Sequence, residues 1–381
     1  MYITKAGVTA DLKVSEDVTV DVPCGEVIIK NADIDGNLII KNAGRVDFSG
    51  KAGRIIVEAD DAEVYALDYE AEFASGEVNG KNSKIVTKSF ADYQQADWEE
   101  GFVTLPCEWA DSKHGFKMAF AVCGPEDGIP IVLIHGLTDA RVSWSQAAPR
   151  LAARGFRVYV PEYKGNGKTD KPYGLDDTYS VAELTRDIAD FMDALGIESA
   201  NIVGHSLGSI ITQELNISYK DKVRTSTLIA SGVRLDAGTE TMDWFMNGDD
   251  EYKGIFAYDD TQKLPESFIL AWGDTSNPDP DFREANFEQL RQVPYYAWKA
   301  LTKNLLKFDN SRRLGEITGD VQIIWGGEDG VFPLGQQQEL LAGLVNADVI
   351  FRVMKGADHS THWCGYDVLD AIVSYIADFA K

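Results

Sequence analysis

The sequence predicts a two-domain protein of mixed class: a small all-β domain over residues 1–95, then, over residues 96–381, an α/β domain with a mostly parallel, doubly wound sheet. Three observations predict it. Short β-type runs punctuated by Asp, Asn and Gly recur between Val18 and Lys88, the pattern of an all-β domain. From Ile131 onward strand-like and helix-like segments alternate, the mark of a parallel sheet wound with helices. At 381 residues the chain also exceeds the roughly 250–300 that one core organises.

With 44% hydrophobic and 25% charged residues, the composition is that of a soluble globular protein. No apolar run approaches the roughly 20 residues that span a bilayer. Met1-Tyr2-Ile3-Thr4-Lys5-Ala6-Gly7 lacks the apolar stretch of a secretory signal, which predicts a cytoplasmic location. Cys24, Cys107, Cys123 and Cys364 form no CxxC pair and are expected as free thiols. A net charge of −25 argues against nucleic acid or an anionic membrane as partner, since both recruit basic surfaces.

The N-terminal runs include Val27-Ile28-Ile29, Leu38-Ile39-Ile40, Val46-Asp47-Phe48 and Ile55-Ile56-Val57. Ile28-Ile29-Lys30-Asn31-Ala32 returns eleven residues later as Ile39-Ile40-Lys41-Asn42-Ala43. Strands repeated so closely suit a β-solenoid, in which each rung covers its neighbour; a β-sandwich is the other arrangement that fits. The region has no histidine, and its acids (Asp33, Asp35, Asp60, Asp61, Glu63) lack the spacing of a calcium loop. It is expected to serve assembly or substrate presentation, with open strand edges that favour a homo-oligomer. Ser89 to Gly101 forms the polar boundary.

In the second domain, Phe102–Leu105 and Lys117–Val122 read as antiparallel strands joined by the turn Asp111–Gly115. Ile131-Val132-Leu133-Ile134 is apolar throughout, as in a strand buried on both faces, so the sheet turns parallel there. Val158–Val160, a helix over Val181–Leu195, Ile202-Val203, a helix over Ser209–Ile217 and Leu228–Ala230 follow. After almost 90 residues that such a core does not need, Ile323–Trp325, Gln336–Leu344, Val349–Val353 and Val368–Phe379 complete the alternation.

Chemistry in such sheets gathers at the carboxyl ends of the strands. Gly204-His205-Ser206-Leu207-Gly208 stands at one of them, where a sharp strand-to-helix turn exposes the serine hydroxyl. His135-Gly136-Leu137 stands at another, and the amides of Leu137 and Leu207 are the expected pair of oxyanion donors. A serine needs a base, and the base needs an acid on its far nitrogen. Of five histidines, His114 lies in an early turn and His135 and His205 belong to the oxyanion elements, leaving His359 and His362. Glycines flank the acids Glu328 and Asp329 at a further strand end. Gly165-Asn166-Gly167-Lys168-Thr169 lacks the spacing of a phosphate loop and reads as a tight structural turn.

These residues together resemble the α/β-hydrolase fold family over nearly all of residues 102–381. Gly204–Gly208 is similar to its nucleophile elbow, His135-Gly136 to its oxyanion loop, and Gly165–Pro172 to its Gly-His-Gly-x-Ser-Asp-x-Pro segment, with Asn166 and Thr169 as departures. The resemblance implies Asp329 as the acid, through Gly327-Glu328-Asp329, and His359 as the base, through Gly356-Ala357-Asp358-His359. Asp358 replaces the family's glycine, so His362 stays open as the alternative base. The insertion at about 233–318, rich in aromatic residues, would be a helical cap over the site. The implied function is a serine carboxylesterase acting on a small apolar or aromatic ester, without metal or organic cofactor. Thioester, lactone or carbon–carbon hydrolysis would use the same residues, and a non-catalytic ligand-binding protein of this fold is the rival of another class.

Overall fold

A computed structural model describes the chain except for Cys24 and residues 67–70, 87–97, 108–114, 261–262, 274–276 and 278. Leu67, His114, most of the predicted boundary and most of the predicted Asp111–Gly115 turn lie outside the described residues. The chain forms two compact units, Met1–Gln94 and Gln95–Lys381. Among the described residues no helix is long and apolar enough to cross a membrane.

The first unit carries strands β1 (Tyr2–Ile3), β2 (Gly7–Ala10), β3 (Lys13–Val14), β4 (Val18–Asp21), β5 (Glu26–Ile34), β6 (Leu38–Asn42), β7 (Arg45–Val57), β8 (Glu63–Tyr65), β9 (Ala71–Val78) and β10 (Lys84–Val86). Their pairings are parallel: β4 aligns Val18 with Leu38 of β6, and β8 aligns Glu63 with Lys84 of β10. This is a β-solenoid, and the sandwich alternative falls because its sheets are antiparallel. The eleven-residue echo has a different cause from consecutive rungs. β5 pairs with β2, β3 and β7, while β6 pairs with β4 and β7, so the two copies occupy different faces of one coil. Alternate residues Val18, Val20, Val27, Ile29, Leu38, Ile40, Ile55 and Val57 fill the interior.

Asp and Asn recur in this unit because the coil turns its corners with left-handed residues, which those side chains tolerate best. Asp11 (φ 53°) lies beneath Asn31 (φ 52°), whose Nδ2 donates to the Asp11 carboxylate at 3.3 Å. Asn82 (φ 57°) donates likewise to Asp61 (φ 55°) at 3.0 Å.

The second unit is built on an eight-stranded sheet of β11 (Glu99–Leu105), β12 (Phe116–Cys123), β13 (Ile129–Ile134), β14 (Phe156–Pro161), β15 (Ala200–His205), β16 (Val223–Ile229), β17 (Gly319–Gly326) and β18 (Ala347–Met354). Spatial order is β11-β12-β14-β13-β15-β16-β17-β18. β12 runs antiparallel to β11 and β14, and every pairing from β14 to β18 is parallel, as the apolar run at Ile131 predicts. Strand order reverses around β13, so crevices open beyond the ends of β13 and β15, where ligands bind in such sheets.

Helices α1 (Ala148–Ala152), α2 (Val181–Ala194) and α3 (Leu207–Ser218) connect the first parallel strands. The insertion between β16 and β17 contains α4 (Glu240–Asn247), α5 (Glu266–Gly273), α6 (Pro280–Gln292) and α7 (Tyr295–Lys307); α8 (Leu334–Gly343) and α9 (Tyr366–Phe379) follow. Thr239 caps α4 by accepting the Met242 N–H, and Asp279 caps α6 by accepting those of Asp281 and Phe282. Much of the insertion's aromatic content packs internally: Phe245, Phe268 and Trp298 are fully buried.

Candidate active site

β15 ends at His205 and α3 begins at Leu207, so the chain reverses on Ser206 alone. The serine adopts φ 51° and ψ −120°, a conformation that costs a residue with a Cβ of order 1–3 kcal/mol. Two glycines make the turn possible by close approach. A Cβ on Gly204 would stand 2.1 Å from the Gly208 carbonyl oxygen, and one on Gly208 would stand 2.2 Å from that of Ile134.

The Ser206 hydroxyl makes no capping bond to α3. Its Oγ lies 2.9 Å from Nε2 of His359, whose Nδ1 lies 3.0 Å from both carboxylate oxygens of Asp329. Asp329 is aimed by the turn beyond β17: its Oδ1 accepts the backbone N–H groups of Val331 at 2.8 Å and Phe332 at 2.9 Å. The three side chains, on three strand ends, form one continuous chain of contacts. Burial opposes charge on His359, but the adjacent Asp329 carboxylate, with Asp358 and Asp139 adding to it, holds the ring above its ordinary value.

His362 is placed elsewhere. Its buried ring packs between Trp144 (centroids 4.2 Å apart) and His205 (4.4 Å), and burial drives its pKa well down. His205 Nε2 donates to the His359 carbonyl, 2.9 Å away, which requires that nitrogen to carry the proton.

The turn after β13 shows an anchoring that sequence reasoning did not foresee. The Gly136 carbonyl accepts the Tyr163 hydroxyl at 2.5 Å and lies 2.9 Å from His135 Nδ1, whose ring stacks on Tyr163. In a trans peptide the C=O and the following N–H point opposite ways, so fixing Gly136 O inward turns the Leu137 amide outward. Leu207, as the first residue of α3, has an N–H with no acceptor inside its own helix. The only advance signal for Tyr163 was its place just beyond a strand end.

The Gly165–Asp170 turn is structural, as its residues suggest. Buried Glu162 accepts from Arg141 Nη1 at 2.5 Å and from the Lys168 amide at 2.7 Å. Thr169, the departure from the family segment, donates to the Glu162 carbonyl at 2.5 Å.

Ser206 and His359 open into a cavity of about 560 Å³, walled on one side by Leu137 and Asp139 and on the other by Met242, Trp244 and Trp272 of the insertion. Trp272 Nε1 also donates to Thr138 Oγ1 at 3.1 Å, tying the insertion to the β13 turn. Burial raises the Asp139 carboxyl to about 7, against the opposing effects of His359 and the Gly136 amide. The arrangement can move a proton from the serine oxygen to an imidazole backed by a carboxylate.

Comparison with known proteins agrees with this fold. Residues 129–366 match the model of the family described as alpha/beta hydrolase fold. An uncharacterized protein of Mycobacterium tuberculosis is 35% identical over 119 residues, 31% of this chain and 33% of that protein, so the match spans about a third of the relative's length. The AB hydrolase superfamily protein YfhM of Bacillus subtilis is 25% identical over 304 residues, covering 73% of this chain and 98% of YfhM. Among solved structures, a putative aryl esterase from Burkholderia cenocepacia superposes with a TM-score of 0.61 at 17% identity, covering 74% of this chain and 97% of that one. With its elbow, its strand order and a family match across most of the second unit, the chain belongs to the alpha/beta hydrolase fold family.

Proposed function

We propose that this protein is a serine hydrolase of carboxylic esters, with Ser206 as nucleophile, His359 as base and Asp329 as the acid that orients it. The observation that carries the reading is the unbroken hydroxyl–imidazole–carboxylate chain, 2.9 Å and 3.0 Å in its two links. His359 Nε2 takes the hydroxyl proton as Oγ bonds to the ester carbonyl carbon, and the amides of Leu137 and Leu207 receive the oxyanion. Collapse expels the alcohol, protonated by His359, and leaves an acyl-enzyme. Water, deprotonated by the same ring, releases the acid and restores Ser206. The aromatic wall of Trp244 and Trp272 favours a small apolar or aromatic ester.

Hydrolysis of p-nitrophenyl acetate and labelling by a fluorophosphonate are expected, both lost in Ser206→Ala. Undiminished turnover in that variant ends the proposal. The solenoid unit is proposed to self-associate: Val8 and Tyr2 are exposed on its first coil, so Val8→Glu is expected to lower the mass measured by light scattering. A monomeric wild-type protein refutes this.

A further inference from the structure

Asp139 has no part in the proton path, yet its carboxyl is set into the wall of the same cavity as Ser206 and His359, two residues beyond Leu137. The residue is 7% exposed. A carboxyl so deeply placed is costly unless it is paired, and among the described residues no Lys or Arg pairs with it; the His359 ring favours its charge, but burial outweighs that ring. His205 Nδ1 stands 3.8 Å from Asp139 Oδ2, but burial holds that ring neutral by lowering its pKa to about 3. Arg141, two residues along, is committed to Glu162 at 2.5 Å and Glu100 at 2.8 Å. The Gly136 amide bonds the carboxyl, and a carboxyl has several acceptor sites, so capacity remains for a donor arriving from the cavity. The other charged residues of the described lining, Glu240, Glu328 and Asp358, are acids as well, and no Lys or Arg is among them.

We propose that Asp139 is a specificity-determining residue that receives a hydrogen-bond donor, hydroxyl or ammonium, carried on the substrate near its scissile carbonyl, and that the cavity disfavours substrates bearing a carboxylate there. The position follows from the turn: Asp139 and the Leu137 amide belong to one short loop, so a group on the carboxyl lies a few bonds from a carbonyl whose oxygen faces that amide. An unfilled Asp139 remains a desolvated acid, and a substrate donor relieves this. A substrate carboxylate meets four acids instead. The inference rests on the serine-hydrolase reading, which supplies the carbonyl's place.

The test compares methyl butanoate, methyl 3-hydroxybutanoate, methyl 3-aminobutanoate and monomethyl succinate by acid release at constant pH. At least one donor-bearing ester is expected to exceed methyl butanoate in kcat/KM by roughly tenfold or more, as for a hydrogen bond to a buried carboxyl, with monomethyl succinate below both. In Asp139→Leu the donor-to-plain ratio should fall towards one. Asp139→Asn, which keeps an acceptor oxygen, should retain a hydroxyl preference and lose an ammonium one. Equal wild-type rates for the four esters, or an unchanged ratio in a folded Asp139→Leu protein, overturn the inference while leaving the hydrolase reading intact. If none of the esters is cleaved, the reading is in question, and thermal shifts of Ser206→Ala with the same esters decide the inference alone. Equal shifts sink it, and a larger shift with a donor-bearing ester upholds it.

Discussion

His359 works between two opposed influences, burial that disfavours its charge and the Asp329 carboxylate 3.0 Å away that favours it, and the carboxylate prevails. The sign of the pH dependence follows. Only the neutral ring can accept the Ser206 proton, and the raised pKa keeps the ring protonated to a higher pH than an ordinary histidine. Ester hydrolysis should therefore fall on acidification with an apparent pKa above 6.5, the ordinary histidine value. Asp329→Asn should remove the opposing charge and the tautomer control together, lowering kcat by about 10⁴-fold, the loss known for such a change in serine proteases. A kcat–pH profile of both proteins checks this, and a variant within tenfold of wild type is incompatible with Asp329 as the orienting acid. Asp139 shows the other outcome of the same physics: burial outweighs the His359 ring and the Gly136 amide and raises the carboxyl to about 7.

At the scale of elements, the elbow depends on strand β15 and helix α3 approaching until backbone touches backbone. Gly208→Ala would place a methyl 2.2 Å from the Ile134 carbonyl oxygen and 2.7 Å from that of His135. Backbone cannot rotate aside as a side chain can, so the substitution should destabilise by about 1–3 kcal/mol or more and displace Ser206 from His359. A urea midpoint equal to wild type would contradict so tight a junction. In the solenoid the demand is different: its corners need left-handed residues, and Asp11 under Asn31, or Asp61 under Asn82, meets it while joining successive rungs by a hydrogen bond.

Across the whole molecule, stability should depend on pH through groups buried in their neutral form. His362 is enclosed by aromatic rings, and burial holds its pKa far below 6.5. Below pH 6.5 the unfolded chain binds a proton here that the folded chain refuses, so this contribution is full above that pH and lost as pH falls, at about 1.4 kcal/mol per pH unit. His362→Phe should therefore gain on wild type in unfolding free energy between pH 7 and pH 5. A difference that stays constant over that interval would mean that the ring is not buried neutral.

Local pattern determined a good deal of this protein. Side-chain period reports which face of a segment is buried, so the change from short alternating strands to unbroken apolar strands with intervening helices marked a β-rich region ahead of a doubly wound sheet. Gly-x-Ser-x-Gly at a strand end marked Ser206. The residues alone left His359 and His362 open, because both follow the same strand and nothing local says which ring turns towards a serine 153 residues away. Sheet order decided that, by setting the ends of β15, β17 and β18 along one rim. Only the folded coil could separate a solenoid from a sandwich, since strand period is the same in both and strand direction is a property of the pairing. The anchoring of Gly136 by Tyr163 and the exposure of Asp139 to the cavity were likewise tertiary results: each arises from groups brought together by chain reversal, and periodicity carries no record of partners that distant.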